Sequence, residues 1–447
     1  MKSFKDSYWL RSGFFSILQR IVVVLFGFTG FFILIRLFGK EEYGIWMLFM
    51  SFTTLTEVLR HGFIRNPLIT YLNASDDKEH NKIFAASFLL NICTSLLLIV
   101  FIIAFSKTLA IVWNAQGLDT LLLLYALTTI VLTFFSQFEY LLEAKLDFNK
   151  KFYIYFVRHG LFLLYILWFV YSDNQLSLFN LAIAQLATIF LTSIQSFFYC
   201  RKYLSFGISL EKAWVKKMFS FGKYTFGTNL SSMIMGNVDQ WMLSSMISPV
   251  AVATYNPAIR IAHLVDVPSM SVASIVFPKV ASRVKEEGEK AAKYLYEKSV
   301  GLILAILLPM LLFILIFPDF VIYFIAGEAY ADSIPILQVT ILYSIFIPFG
   351  RQFGVIVDGM GLPKVSFYFV IMKVIINVVC NYFFITHFGV IGAAWGTLCS
   401  FFIGFLLDTA YLQKKVKMSL GNIPMHIISF YKDGLYFSLG FLKKKFQ

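Results

Sequence analysis

Residues 14–44 read FFSILQRIVVVLFGFTGFFILIRLFGKEEYG. From Phe14 to Arg36 the stretch is apolar apart from a few hydroxyl and amide groups and the lone internal cation Arg20. A helix needs ~20 residues to cross ~30 Å of hydrocarbon, and this run has that length. After a polar turn the chain becomes apolar again at Gly44. Further apolar spans follow at 44–70, 83–105, 119–141, 152–171, 177–200, 222–246, 250–278, 299–317, 333–357, 365–386 and 389–412, twelve with the first. The first span follows Lys2, Lys5 and Arg11, as in a signal peptide. It is too long for the apolar core of one and lacks a small-x-small cleavage site, so it is expected to stay as helix 1.

The cations separate the two sides of the membrane. Of 38 Lys and Arg, 28 lie in the N-terminus, the loops after even-numbered spans and the C-terminal tail. Loops after odd-numbered spans hold only Arg36, Lys40 and Lys107. Short loops rich in Lys and Arg stay in the cytoplasm, which puts both termini inside. With 59% hydrophobic residues, 14% charged residues and a mean hydropathy of +0.75, a soluble globular domain is excluded. The net charge of +13 is explained by cytoplasmic loops facing anionic headgroups, not by nucleic acid. Cys93, Cys200, Cys380 and Cys399 form no CxxC pair, so neither a disulfide frame nor a metal site is suggested.

The expected fold is an all-α integral membrane protein of about twelve transmembrane helices in two pseudo-symmetric six-helix lobes. Residues 1–203 form the N-terminal lobe and 224–418 the C-terminal lobe. Between them, 204–223 is a cytoplasmic interfacial linker, in which Lys212, Lys216 and Lys217 alternate with Trp214, Phe219 and Phe221. A duplication is read from paired offsets: Tyr43 aligns on Tyr255, and Lys151 with its aromatic run aligns on Lys364 with Phe367-Tyr368-Phe369. Such a repeat keeps its orientation, so its axis lies along the membrane normal. Chance similarity among aromatic-rich helices is the alternative. The tail, 419–447, holds two short apolar pieces broken at Lys432-Asp433, and is read as an amphipathic helix on the cytoplasmic face.

Seven cations lie inside the spans. An ionisable group deep in a span costs at least ~2.5 kcal/mol by insertion scales, so it faces a cavity or a partner. Span 2 carries Glu57, Arg60, His61 and Arg65 in one stripe. Span 8 carries Arg260, His263 and Asp266; span 10 carries Arg351 and Asp358; span 11 carries Lys373, Asn377 and Asn381; span 7 carries Asn237 and Asp239. Arg20, Arg65 and Arg158 are near enough to a cytoplasmic end to snorkel. Glu57 has Arg60 or His61 as potential partners, and Asp266 has His263. The cations outnumber the deep acids, which favours a positively biased cavity between the halves and an anionic substrate. Arginine suits phosphate through its two-pronged fork. There is no GxxxxGK[ST] and no HExxH, and the outward segments are short, so no enzyme is expected.

Leu37-Phe-Gly-Lys-Glu-Glu-Tyr-Gly44, then Asn237-Val-Asp239 with Val252-Ala-Thr-Tyr255-Asn-Pro-Ala258, resemble passages of the polysaccharide flippases (Wzx type). These belong to the multidrug/oligosaccharidyl-lipid/polysaccharide exporter superfamily. Gly359-Met-Gly361-Leu-Pro-Lys364 and Gly389-Val-Ile-Gly392-Ala-Ala-Trp-Gly396 are similar to two further turns of that family. The likeness runs from about residue 10 to 412. It implies a bacterial inner membrane and a substrate of oligosaccharide on undecaprenyl pyrophosphate, flipped by alternating access for surface polysaccharide, lipopolysaccharide among them. It also implies that Arg20, Arg60 and Arg260 meet the pyrophosphate; the burial cost of Arg351 and Lys373, read from the sequence itself, is expected to place them with Arg60 and Arg260 in one water-filled cavity. Glu57, His61, Asp239, His263 and Asp266 are then candidates for coupling to Na+ or H+, or for pairing with those cations. No cofactor is implied; a polysaccharide polymerase is the expected partner. Two departures stand out: Asp239 is followed by Gln240 where the family often has Arg, and the tail looks too broken for the two extra helices of some members. The alternatives are a cation-coupled drug exporter of the same superfamily, which needs acids to dominate the cavity, and a membrane polysaccharide polymerase or ligase, which needs a large outward loop.

The charge asymmetry predicts that single cysteines introduced at Ser172 and Ser248 react with an impermeant thiol reagent from outside, while cysteines at Ser75 and Ser282 do not. Reversed labelling would overturn the topology and the direction of transport with it.

Overall fold

The computed structural model describes residues 8–172, 175–204 and 210–445. Among them there is no strand. Ten helical segments among the described residues are long and apolar enough to cross a membrane. The two other spans of the sequence fall in Lys40–Ala74 and Lys212–Met246. Both are helical throughout, but intramembrane charge in the first and polar residues in the second lower their hydropathy. The chain splits into two compact units. Unit 1 comprises Met1–Met233 with Ser248–Val250, and unit 2 comprises Ile234–Ile247 with Ala251–Gln447.

Unit 1 contains α1 (Tyr8–Leu37), α2 (Lys40–Arg60), α3 (Asn66–Ala74), α4 (Asp77–Val112), α5 (Leu118–Ala144), α6 (Phe148–Ser172) and α7 (Leu178–Cys200). It also takes the first part of α8 (Lys212–Met246). Helix α5 is its axis, packed against α4 and α7. Small and hydroxyl-bearing residues allow the close approach. Asn91 donates to the Thr133 carbonyl at 3.0 Å, Thr133 to Ser95 at 2.7 Å, and Gln137 to Ser87. In hydrocarbon no water competes for these groups, so such bonds select the register of neighbouring helices.

Between α2 and α3 the helix widens into one π-turn, His61–Arg65. Pro67 is the evident cause: it has no N–H for the Phe63 carbonyl one turn earlier, and its ring crowds that oxygen. Gly222 of α8 packs on the same carbonyl, where an added Cβ would come within 2.5 Å of the oxygen. Phe219 and Phe226 flank Phe63. The amphipathic start of α8 is thus docked on unit 1. Trp214 donates to Glu79 at 2.5 Å, Lys217 lies over Tyr71, and Glu211 pairs with Lys82 at 3.0 Å.

Unit 2 contains the rest of α8, then α9 (Pro249–Glu287), α10 (Glu289–Ile316), α11 (Pro318–Ile325), α12 (Ile334–Ser344), α13 (Ile347–Gly359), α14 (Pro363–Phe388), α15 (Val390–Val416) and α16 (Asn422–Lys445). The tenth span is broken into α12 and α13 just before Pro348, which cannot donate to the Ser344 carbonyl. Three pairings recur in the two units. Helix α4 packs on α5 as α10 does on α13, α5 on α7 as α12 does on α15, and α6 on α7 as α14 does on α15. Tyr43 and Tyr255 are both fully buried. The tail forms one helix, α16, which runs through Lys432-Asp433 and packs along α10. Asn422 meets Glu297, His426 meets Gly301, and Tyr431 donates to the Ala305 carbonyl.

Gly396 illustrates how tightly α14 and α15 meet: a Cβ there would lie 2.4 Å from Asn381 Oδ1 and 2.8 Å from its Cα. Gly396→Ala is expected to lower stability by about 1–3 kcal/mol, as overpacking does. Gly27→Ala on α1 meets nothing within 4 Å and should be neutral or slightly stabilising. Thermal unfolding of the purified variants checks this, and equal shifts for both would sink the packing account.

Candidate functional site

In unit 1 the intramembrane charges of α2, α5 and α6 form one network. Helical spacing turns Glu57 and Arg60 toward α5, with Arg65 two turns beyond Glu57 on the same side. Arg158 of α6 donates to Glu57 at 3.3 Å and lies over the Phe135 ring, so it is held by a carboxylate. Glu57 therefore pairs across helices and not with Arg60; the His61 side chain lies outside those described. Lys151 bridges Glu139 at 3.0 Å and Glu143 at 2.8 Å. Tyr155 donates to Glu139 at 2.8 Å, and the Arg65 fork grips Glu143 through Nε and Nη2.

Arg60 differs from these. Its side chain is 1% exposed, and Nε and Nη2 have no hydrogen-bond acceptor. It borders a cavity of about 20 Å³ shared with Glu57, Glu139, Tyr140, Tyr155 and Arg158. That volume admits one water-sized particle.

In unit 2, Asp239 is the centre of a second polar cluster. Its carboxylate accepts from Tyr255 Oη at 2.9 Å, Thr397 Oγ1 at 2.9 Å and Asn381 Nδ2 at 2.6 Å. Asn377 and Asn381, one turn apart on α14, are linked at 3.2 Å. Tyr255, Thr397 and Asn381 are neutral donors, and Asn381 Oδ1 is buried without a partner. A carboxylate and a carbonyl-type oxygen held in one buried cluster are hard ligands, suited to a proton or a small cation.

Two ion pairs lie in the same unit. Arg351 grips Asp266 with Nε, at 3.0 Å, and with Nη2. Asp266 thus pairs with α13 and not with His263, which is exposed on α9. Lys373 reaches Asp408 at 2.5 Å. Its methylene stem runs over Gly404, where an added Cβ would lie 3.3 Å from Lys373 Cδ. Gly350, next to Arg351, abuts this pair as well. Arg260 is partly buried on α9, and Arg20 is exposed on α1. Within unit 1, Glu57 and Arg60 line one cavity; within unit 2, Asp239 joins the α14 asparagines, and Arg351 and Lys373 each lie beside a carboxylate. Sequence reasoning missed Lys151, Tyr155, Tyr255 and Thr397. All four act through partners on other helices, and spacing along one helix gives no sign of those.

The polysaccharide biosynthesis protein family model matches residues 33–335. An uncharacterized membrane protein of Methanocaldococcus jannaschii is 28% identical over 46% of this chain, although the match spans only 41% of that protein. An uncharacterized membrane protein in the cps region of Klebsiella pneumoniae is 24% identical over 96% of this chain and 86% of its own length. A probable low-salt glycan biosynthesis flippase of Haloferax volcanii is 22% identical over 45% of this chain and 43% of that protein. Among solved structures, the lipid II flippase MurJ in an inward closed conformation superposes with a TM-score of 0.76 at 16% identity, over 95% of this chain and 92% of that one. With two buried polar clusters set in a helical membrane fold of this kind, and a family match over more than half its length, the chain belongs to the polysaccharide biosynthesis protein family.

Proposed function

We propose that this protein is a flippase that carries undecaprenyl-pyrophosphate-linked oligosaccharide from the cytoplasmic to the outer leaflet of a bacterial inner membrane by alternating access. It would cross the membrane twelve times with both termini inside and serve surface polysaccharide synthesis, handing its cargo to a polymerase. Family membership and the likeness to a lipid flippase fold support this reading. The observation that carries the substrate chemistry is that six of the seven cations inside the spans are arginines: Arg20, Arg60, Arg65, Arg158, Arg260 and Arg351, with Lys373 the seventh. A guanidinium takes a phosphate through two parallel N–H bonds, which an ammonium cannot do. Arg351 already holds a carboxylate in that two-pronged manner while its side chain stays 37% exposed, the geometry in which a guanidinium takes a phosphate.

Coupling is assigned to Asp239, because its partners are neutral hydroxyls and amides and a proton or Na+ would complete them. A drug exporter on the same fold is the second reading. It draws on the same carboxylate.

In a strain lacking the gene, Arg60→Ala and Arg260→Ala are expected to cut surface polysaccharide at least about tenfold, the equivalent of ~1.4 kcal/mol. The protein should remain inserted, and Arg→Lys should restore only part of the activity. Arg20→Ala should be milder. Asp239→Asn should make export insensitive to the ion gradient. Intact export from both alanine variants, with Asp239 or Glu57 essential, would favour the drug exporter.

A further inference from the structure

We propose that the chamber around Arg60 is a halide site: it holds one chloride-sized monovalent anion inside unit 1. Arg60 is 1% exposed, and two of its nitrogens find no acceptor. The carboxylates on the chamber wall do not fill that need. Glu57 is engaged by Arg158, and Glu139 by Lys151 and the Tyr155 hydroxyl. The third carboxylate of the network, Glu143, is shared by Arg65 and Lys151. Among the described residues, four cations (Arg60, Arg65, Lys151 and Arg158) therefore face three carboxylates. The surplus charge is at Arg60, the member with unmet donors.

Burying an uncompensated charge is strongly unfavourable, and burying donors without acceptors adds to it. Water in the chamber would satisfy the donors and leave the charge. A halide does both, because it accepts several N–H bonds and carries one negative charge. Size limits the choice further, since about 20 Å³ holds a single small particle in this state of the protein. Backbone geometry fixes the position: Arg60 ends α2 where the chain enters the π-turn, so its side chain leaves the helix at a point set by Pro67. The halide occupies the guanidinium that the proposed function gives to the pyrophosphate, so it is a ligand of the substrate-free protein.

The test uses the purified full-length protein without lipid-linked substrate. Thermal unfolding is compared in sodium chloride and sodium gluconate at equal ionic strength. Chloride is expected to raise the unfolding temperature by about 2–4 °C with saturation in the millimolar range, as a ligand of the folded state does. Arg60→Met should abolish the difference between the salts. Crystals grown in sodium bromide should show an anomalous peak against Arg60 Nε and Nη2. Equal unfolding temperatures in the two salts would overturn the proposal, and so would a chloride effect that survives in Arg60→Met. Should that variant fail to fold, the bromide map of the unaltered protein decides, and a chamber without anomalous density means that only water is bound there. Failure here would leave the transport reading untouched, because no readout involves export.

Discussion

Lys151 joins two carboxylates of α5 to the start of α6, and through Glu143 it reaches Arg65 at the π-turn. Few side chains in unit 1 constrain as much. In hydrocarbon a charged group has no water to fall back on, so each position in this network determines which helix faces which. Removing one member of such a set leaves a buried charge without compensation, at a cost of about 3–5 kcal/mol, whereas exposed pairs contribute ~0–1 kcal/mol. The Arg283–Glu287 pair, one turn apart and open to solvent, belongs to the second kind. The Lys151 network belongs to the first.

Much of the architecture was legible because hydrophobic periodicity and charge asymmetry are local properties. The run at 14–36 became α1, and the glycine-rich turn at 389–396 became the tight α14–α15 contact. Proline breaks were less visible. The span at 333–357 reads as one segment, yet Pro348 divides it, and Pro67 produced the π-turn within what reads as one continuous span. The linker reads as a surface helix, but Trp214 and Lys217 found partners on α4 and α3 and drew it onto unit 1.

Partners across helices were the least legible. Helical spacing put Glu57 and Arg60 on one face correctly, and it suggested that they neutralise each other. The structure gives Glu57 to Arg158, more than a hundred residues later, and Asp266 to Arg351. Asp408, which the pattern of α15 does not single out, is the counter-charge of Lys373. Asp239 is legible as an acid within a span, but the donors around it were not: Thr397 carries no signal alone, and Tyr255 stood out only as the counterpart of Tyr43 and as part of a motif.

Glu297 of α10 is 4% exposed, and its carboxylate is capped by the Ser419 amide at 2.8 Å and the Asn422 side chain at 3.0 Å. Those donors lie 122 and 125 residues further along the chain. During synthesis α10 must therefore wait for that downstream segment to emerge before this buried acid receives its hydrogen-bond donors. Unit 2 therefore does not complete its folding helix by helix as the ribosome delivers them: without Ser419 and Asn422 the Glu297 carboxylate has only Lys293, one turn earlier at 4.0 Å, and the face of α10 that α16 covers stays open.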